Sequence, residues 1–425
     1  MIYCSHCGAG NIDDGSYCIR CGSRLGHLND PRDRATSSEE SAGLLREHHG
    51  DGIDDHSPIT ANTGPRRGAK KLPRWAVLAV ALVVGGSVTA GLALHGHGRG
   101  PVTSAPKTRA SPTSNGNYLN RPTALASDGR HLWVANGDNS ITELNLSNGS
   151  LVRTIQDPGG PLALVSVGDH LWVANGDNSI TKLNLNNGSV VRTIQDPGGP
   201  LALVSVGDHL WVANAGDSVA ELNLNNGSLV RTISGAPYDF NEPFALASDG
   251  SHLWVANYNG SSITELNLSD GSLVRIISGA SYGVNGPDAL AADGTHLWVA
   301  NDSMFYGNSF TLTELNLSDG SLVRIISGAS YGFNYPQALA SDGSHLWVAN
   351  SGDSSGSGNA NSITELNLNN GSLVRTISGG PYYFNFPEAL ASDGSHLWVA
   401  NKGGSSVTEL NSSNGSLVRT ISKGS

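Results

Sequence analysis

One phrase recurs seven times in residues 118–425, and it constrains the fold more than any other feature of the chain. Each copy reads close to ALASDGxHLWVAN…ITELNLxxGSLVRTI, and successive tryptophans are 39–51 residues apart. A period of this size indicates a repeat architecture in which each copy forms one supersecondary unit. The seven repeat tryptophans are Trp133, Trp172, Trp211, Trp254, Trp298, Trp347 and Trp398.

Turn signals divide each copy into four short runs with strand character. In the first copy these runs are residues 123–127, 131–135, 141–146 and 151–155, and Asn148-Gly149 is a strong hairpin turn. Four antiparallel strands, repeated seven times, predict an all-β, seven-bladed β-propeller. A leucine-rich solenoid fits poorly because its period is about 20–29 residues. We expect the ring to close between two intact blades, without a shared strand.

The repeat phrase also resembles known propeller families. The string P-x-A-L-A-S-D-G-x-H-L-W-V-A-N, followed by S-I/V-T-E-L, is similar to the NHL and YVTN families of bacterial β-propellers over about 300 residues. In several membrane receptors an NHL-like propeller is the extracellular sensor beyond one membrane helix. The resemblance therefore implies a propeller fold and an extracytoplasmic sensing domain, although such folds host many activities.

A single transmembrane helix is predicted for residues 75–94. This run of 20 residues contains no charged side chain, and at 1.5 Å per residue it spans about 30 Å, the thickness of a bilayer core. Five basic residues lie just upstream: Arg66, Arg67, Lys70, Lys71 and Arg74. The positive-inside rule then places residues 1–74 in the cytoplasm and residues 95–425 outside the cell membrane.

The N-terminal residues 1–25 carry a zinc-binding pattern. Two complete C-x-x-C pairs supply four thiolates, the number that a structural tetrahedral zinc site needs. The pattern resembles the short zinc ribbon at the N-terminus of many bacterial membrane proteins, and a redox dithiol is the alternative. All four cysteines lie on the predicted cytoplasmic side, where thiols stay reduced. The predicted ligands are Cys4, Cys7, Cys18 and Cys21.

The remaining segments and the charge limit the partners. Residues 26–74 and 95–117 are polar, Gly- and Pro-containing stretches that we interpret as linkers, the second extracellular. The formal net charge is −11, and the zinc ribbon lacks a basic surface. We therefore expect no nucleic-acid partner, and a cytoplasmic protein is the candidate partner of the ribbon.

Departures from the repeat indicate where a ligand could bind. A residue present in all seven copies, such as the His before each Leu-Trp or the Arg of each L-V-R, is more often architectural than functional. The connections between the fourth strand of one copy and the first strand of the next are longer and aromatic in copies 4–7. Copies 5 and 6 also carry insertions between their second and third strands, on the same face of the predicted propeller. Inward packing of these rings between blades is the alternative. The ligand-binding candidates are Phe305, Tyr306, Tyr331, Tyr335, Tyr382 and Tyr383.

These patterns favour a membrane-anchored extracytoplasmic propeller that binds or senses a ligand, protein or glycan, and that is not an enzyme. The alternatives are a propeller enzyme resembling streptogramin lyases or quinoprotein dehydrogenases, and a structural surface protein. A lyase needs an acid–base set outside the repeat, but every His of residues 118–425 belongs to the repeat. Four unrepeated carboxylates occupy loosely corresponding positions in the connections, without a His partner that stands out: Asp239, Glu242, Asp288 and Glu388.

Overall fold

The computed structural model describes residues 2–3, 10–11, 118–302, 310–352 and 361–422. The chain divides into two units, residues 1–70 and 71–425. In the first unit, β1 (Ile2–Tyr3) and β2 (Gly10–Asn11) pair antiparallel. The four cysteines and the segment 75–94 lie outside the described residues, so the zinc ribbon and the membrane span stay predictions. Within the described ranges, no helix has the length and apolar character needed to cross a membrane.

The described strands between residues 122 and 422 form seven antiparallel four-stranded sheets, and each sheet contains one copy of the repeat. The prediction of an all-β, seven-bladed propeller is therefore confirmed. Blade 1 comprises β3 (Pro122–Ser127), β4 (His131–Asn136), β5 (Ser140–Asn145) and β6 (Leu151–Gln156). Blade 2 comprises β7 (Pro161–Val167), β8 (His170–Asn175), β9 (Ser179–Asn184) and β10 (Val190–Gln195). Blade 3 comprises β11 (Pro200–Val206), β12 (His209–Asn214), β13 (Ser218–Asn223) and β14 (Leu229–Ser234).

Blades 4–7 continue in the same order along the chain. They comprise β15 (Pro243–Ser248), β16 (His252–Asn257), β17 (Ser262–Asn267), β18 (Leu273–Ser278); β19 (Pro287–Ala292), β20 (His296–Asn301), β21 (Thr311–Asn316), β22 (Leu322–Ile326); β23 (Pro336–Ser341), β24 (His345–Asn350), β25 (Ser362–Asn367), β26 (Leu373–Ile377); β27 (Pro387–Ser392), β28 (His396–Asn401), β29 (Ser406–Asn411) and β30 (Leu417–Ser422). A short 3₁₀ turn, Ala329–Tyr331, precedes blade 6.

The core lies between the blades. In blade 1, Trp133 of β4 is opposite Ala126 of β3 and Glu143 of β5, and the other blades repeat this register. Side chains alternate between the two faces of a strand, so the apolar residues on both faces of a blade can pack against its neighbours. All seven repeat tryptophans are at most 1% exposed, which is the burial expected of side chains that fill the wedges between blades.

The first strands pack beside one another around the ring axis. β3 contacts β7, each later first strand contacts the next, and β27 contacts β3, so the ring is closed. Blade 1 contains only β3–β6 and blade 7 only β27–β30, which confirms the prediction of closure without a shared strand. Side chains reinforce this seam, because Arg419 Nη2 donates to the Ser147 carbonyl at 3.3 Å.

The turn between the third and fourth strands packs against the preceding blade. In blade 6 this turn contains Gly371, whose φ is +66°, a left-handed conformation that favours glycine. A Cβ added to Gly371 would lie 2.7 Å from Cδ1 of Ile326 in blade 5. The glycine therefore allows the turn of one blade to approach the outer strand of its neighbour.

Replacing Gly371 by alanine is expected to lower the free energy of unfolding by about 1–3 kcal/mol more than the same change at Gly343. Both glycines belong to blade 6 and have positive φ, but a Cβ at Gly343 would meet nothing within 4 Å. The difference between the variants thus measures the inter-blade contact apart from backbone strain. Chemical denaturation of the two full-length variants provides the measurement, and equal losses would contradict tight packing at this turn.

Candidate functional site

Two loops of every blade meet at one end of the ring. These are the connection that enters the first strand and the loop that leaves the second strand. In all seven blades the backbone N–H that follows W-V-A-N donates to the carbonyl of the residue before the first-strand proline, at 2.9–3.2 Å. The sequence prediction that the aromatic connections and the insertions share one end of the ring agrees with this bond.

A buried asparagine holds these two loops in place. In blade 6, the Asn350 amide donates to Ser362 Oγ at 3.2 Å and to Thr364 Oγ1 at 3.0 Å, and its Oδ1 accepts the Asn334 N–H at 3.2 Å. Thr364 in turn donates to the Tyr331 carbonyl at 2.9 Å. The Asn of W-V-A-N accepts the same backbone bond from the connection in blades 1 and 5, so in these three blades it joins the connection to the third strand.

The repeated His and Arg belong to charged clusters inside six of the seven blades. In blade 4, Arg275 Nε lies 2.7 Å from Glu265 Oε2, and His252 Nδ1 lies 3.7 Å from Glu265 Oε1. Glu265 is almost fully buried, whereas Arg275 is about one-third exposed. Burial raises the pKa of the Glu265 carboxyl, and the neighbouring Arg275 and His252 oppose this shift. Because the cluster recurs around the ring, it is part of the scaffold.

Blade 2 departs from this pattern because Lys182 occupies the glutamate position. Its ammonium donates to the Leu224 carbonyl of blade 3 at 2.8 Å and lies 4.9 Å from the centre of the Trp172 ring. Burial lowers the pKa of Lys182. Among the described residues, no carboxylate is within ion-pair distance of Arg192, the exposed arginine of this blade.

The departures from the repeat converge on three positions in each blade, which we call the axial ring. They are the residue before the first-strand proline, the residue after it, and the residue after W-V-A-N. In blades 1, 2 and 3 the three positions are held by Arg121, Thr123 and Gly137; by Gly160, Leu162 and Gly176; and by Gly199, Leu201 and Ala215. In blades 4 and 5 they are held by Glu242, Phe244 and Tyr258, and by Gly286, Asp288 and Asp302. In blades 6 and 7 they are held by Tyr335, Gln337 and Ser351, and by Phe386, Glu388 and Lys402.

Blades 4–7 contribute a polar arc to the axial ring. Tyr258 Oη donates to Asp302 Oδ2 of the next blade at 2.8 Å, and Gln337 Nε2 donates to Asp288 Oδ2 of the preceding blade at 2.6 Å. In blade 7, Lys402 Nζ lies 2.8 Å from Glu388 Oε1. We define the polar arc as Tyr258, Asp288, Asp302, Gln337, Glu388 and Lys402.

Electrostatic interactions link the carboxylates of the polar arc. Asp288 is buried, and burial raises its pKa well above the ordinary value. Asp302 and, from two blades away, Glu388 raise it further. Burial also raises the pKa of Glu388, although Lys402 and Arg121 oppose the shift. Carboxylates separated by a whole blade interact in this way because they approach the common axis.

Blades 2 and 3 contribute an apolar arc with small neighbours. Leu162 and Leu201 occupy the position that Asp288 and Glu388 hold elsewhere, and the other four positions are glycine or alanine. Leu162 Cδ1 is 3.7 Å from the point where a Cβ on Gly176 would lie. We define the apolar arc as Gly160, Leu162, Gly176, Gly199, Leu201 and Ala215. The axial ring is therefore polar on one side and apolar on the other.

The structure places four of the six predicted ligand-binding aromatics, and they differ in exposure. Tyr331 and Tyr382 are half-buried, stack on Phe333 and Phe384, and pack against the core. Tyr383 is 66% exposed. The carbonyls and rings of Tyr331 and Tyr382 thus help to position the connections, and ligand contact by all three tyrosines stays a prediction.

Tyr335 is the predicted aromatic that belongs to the axial ring. It has φ +50°, and its ring centre is 4.6 Å from that of Phe310. Phe305 and Tyr306 lie outside the described residues.

Sequence reasoning noted Asp288 and Glu388 as unrepeated carboxylates but missed Tyr258, Asp302, Gln337 and Lys402. A position-by-position alignment of the seven copies would have found them, because each replaces a different residue in the other blades. In the part of the chain that the structure describes, no group of three or more His, Cys, Asp or Glu side chains could hold a metal ion. The predicted zinc ligands lie outside that part.

Comparisons with known proteins add support for the fold. The chain matches no family model and no curated protein. It is similar to the solved structure of hydrazine synthase from Kuenenia stuttgartiensis, with a TM-score of 0.58 and 16% identity, over 72% of this chain and 99% of that chain. At this identity the likeness shows a shared fold and carries no activity to this chain.

Proposed function

We propose that the chain is a membrane-anchored, non-enzymatic binding or sensing protein whose extracytoplasmic propeller takes its ligand at the axial ring. The observation that supports this most is that the insertions and the changes from apolar to polar residues concentrate at one end of a repeated scaffold. Loops and strand ends that vary on a rigid framework are where binding residues concentrate. The resemblance to bacterial NHL-like propellers and the segment 75–94 support the membrane anchor.

A binding screen with matched variants tests this function. We expect full-length protein to retain a component of the cell envelope, whether glycan, peptide or protein, that the double variant Asp288→Leu/Gln337→Leu does not retain. The variant Arg192→Leu serves as the control, because Arg192 lies on an outer strand away from the axial ring. A screen in which no component depends on the axial ring would overturn the proposed function.

The proposed orientation predicts an external propeller and an internal zinc ribbon. Protease added to intact cells is expected to degrade residues 118–425 and to leave the N-terminal epitope intact, because the basic flank of the segment 75–94 stays inside. Immunoblotting with tags at each end provides the measurement. Degradation of the N-terminal tag with a protected propeller would reverse the orientation.

The zinc ribbon of residues 1–25 is proposed to hold one structural zinc ion. Metal analysis of the full-length chain is expected to give about one equivalent of zinc, and the double variant Cys4→Ser/Cys7→Ser should lose it, because two ligands cannot complete a tetrahedral site. The variant His6→Ala is the control and should retain the metal. Zinc retained at full stoichiometry in the double Cys variant would exclude this ligand set.

The enzyme alternative has less support from the described residues. Each repeat His lies beside the Asp or Glu side chains of its own blade, as His131 does with Asp128 and Glu143. Burial alone would raise the pKa of Asp128, but hydrogen bonds from the backbone of His131 and from the Trp133 indole hold it below its ordinary value. These groups are thus engaged in the scaffold, and the polar arc contains no histidine.

A further inference from the structure

We propose that the axial ring binds a neutral, polyhydroxylated ligand: a terminal sugar of an envelope glycan. This inference deepens the proposed binding function and rests on it. It follows from two properties of the ring, the mixture of hydrogen-bonding groups in the polar arc and the apolar surface opposite them.

The polar arc offers both donors and acceptors within one small region. A sugar hydroxyl donates one hydrogen bond and accepts others, so it is matched by neighbouring groups of both kinds. The half-buried Gln337 amide provides both and the half-buried Lys402 ammonium donates, while the buried carboxylates of Asp288 and Glu388 hold these two groups in place. Because Gln337 and Asp288 come from adjacent blades and meet at 2.6 Å, these groups are held by the scaffold before any ligand arrives.

The balance of charge in the arc disfavours a strongly charged ligand. Lys402 pairs with Glu388, and Arg121 adds a second positive charge near it. Burial and the neighbouring carboxylates keep Asp288 toward its neutral form. A cation would meet Lys402 and Arg121, and an anion would meet the carboxylates of Glu242, Asp302 and Glu388. A neutral ligand avoids both repulsions.

The apolar arc, with Phe244 of blade 4 beside it, gives the ring an apolar side suited to the C–H face of a sugar ring. Leu162 and Leu201 are half-buried, and Leu201 packs against the same cluster as Phe244 and Tyr258. The rings of Phe244 and Tyr258 have centres 5.4 Å apart. A few convergent polar groups beside apolar and aromatic side chains are the composition expected of a small-molecule site.

Calorimetry of the full-length chain, purified in a detergent without a sugar headgroup, tests the ligand class with defined probes. The neutral probes are maltotriose, cellotriose, chitotriose, xylotriose and mannotriose. Trilysine is the cationic probe and trigalacturonate the anionic probe. We expect at least one neutral trisaccharide to bind with a Kd below about 1 mM and both charged probes to bind at least tenfold more weakly.

Variants locate this binding on the axial ring. Asp288→Leu/Gln337→Leu should weaken binding of the neutral trisaccharide at least tenfold while the melting temperature stays at or above that of the parent, because leucine occupies the Asp288 position in blades 2 and 3. Lys402→Met is a second variant that removes one donor, and it should weaken binding even if the double variant folds poorly. Arg192→Leu should bind as the parent does.

The outcomes separate the ligand class from the proposed function. If trilysine or trigalacturonate binds more tightly than every neutral probe, and the axial-ring variants abolish that binding, the glycan assignment is overturned and the binding function stands. Trisaccharide binding that both axial-ring variants leave unchanged would also overturn the assignment. If no probe binds and the envelope screen yields no ring-dependent component, both proposals fail.

Discussion

Replacing Trp298 by alanine is expected to lower the free energy of unfolding by about 3–5 kcal/mol, the usual cost of truncating a buried aromatic residue. The indole is fully buried between blades, and its Nε1 donates to Asp293 Oδ2 at 2.9 Å. Alanine would leave a cavity and remove this donor from Asp293. Guanidinium denaturation of the full-length chain, followed by far-UV circular dichroism, provides the measurement, since the substitution itself alters tryptophan fluorescence.

The milder change of Trp298 to phenylalanine separates volume from hydrogen bonding. Trp254 is equally buried, but among the described residues its Nε1 has no hydrogen-bond acceptor. Trp298→Phe is therefore expected to cost about 1 kcal/mol more than Trp254→Phe. Equal costs would assign no stabilisation to the bond with Asp293. A Trp298→Ala variant as stable as the parent would contradict the role of these indoles as wedges.

Replacing Arg275 by leucine is expected to lower the free energy of unfolding at pH 8 by about 3–5 kcal/mol, because the buried Glu265 charge loses the guanidinium beside it. The matched change Arg192→Leu should cost within about 0.5 kcal/mol, since blade 2 has Lys182 in the glutamate position and Arg192 is exposed. Thermal and chemical unfolding of both variants give the comparison. Similar losses in the two blades would exclude a specific contribution from the Glu–Arg pair.

The loss in Arg275→Leu is expected to shrink at lower pH. Without Arg275, the pKa of Glu265 rises further above its ordinary value of 4.5, so the folded variant binds a proton that the unfolded chain has released. Stability of the variant then falls as the pH rises from the ordinary value through the raised one. Unfolding at pH 5 and pH 8 measures this slope, and a loss that is larger at pH 5 would contradict the assignment.

Local signals made the blades predictable from the sequence. Short apolar runs, the Asp-Gly and Asn-Gly turns and a constant order of residues specify each four-stranded meander without information from distant parts of the chain. The predicted first-copy strands agree with β3–β6 to within about one residue at each end. The repeat also made ring closure predictable, because its first and last copies are complete.

The axial ring was harder to predict because its contacts join residues far apart in the chain. Gln337 and Asp288 are 49 residues apart, and Tyr258 and Asp302 are 44 residues apart. Each lies inside a well-matched copy of the repeat, where a single departure looks like ordinary surface variation. Aromatic loops were the more visible signal in the sequence, yet Tyr331 and Tyr382 also serve to pack the connections.

The seam between blades 7 and 1 has a consequence for how such a ring can change in number. Every blade is one contiguous stretch of chain, so a gene duplication that starts anywhere in one copy and ends one period later inserts a complete blade. Residues 156–194 and 195–233 differ at only seven of 39 positions, as expected of a recent event of this kind. A propeller closed by a shared strand would constrain where such an insertion could end. In this architecture the number of blades can change by one complete blade at a time.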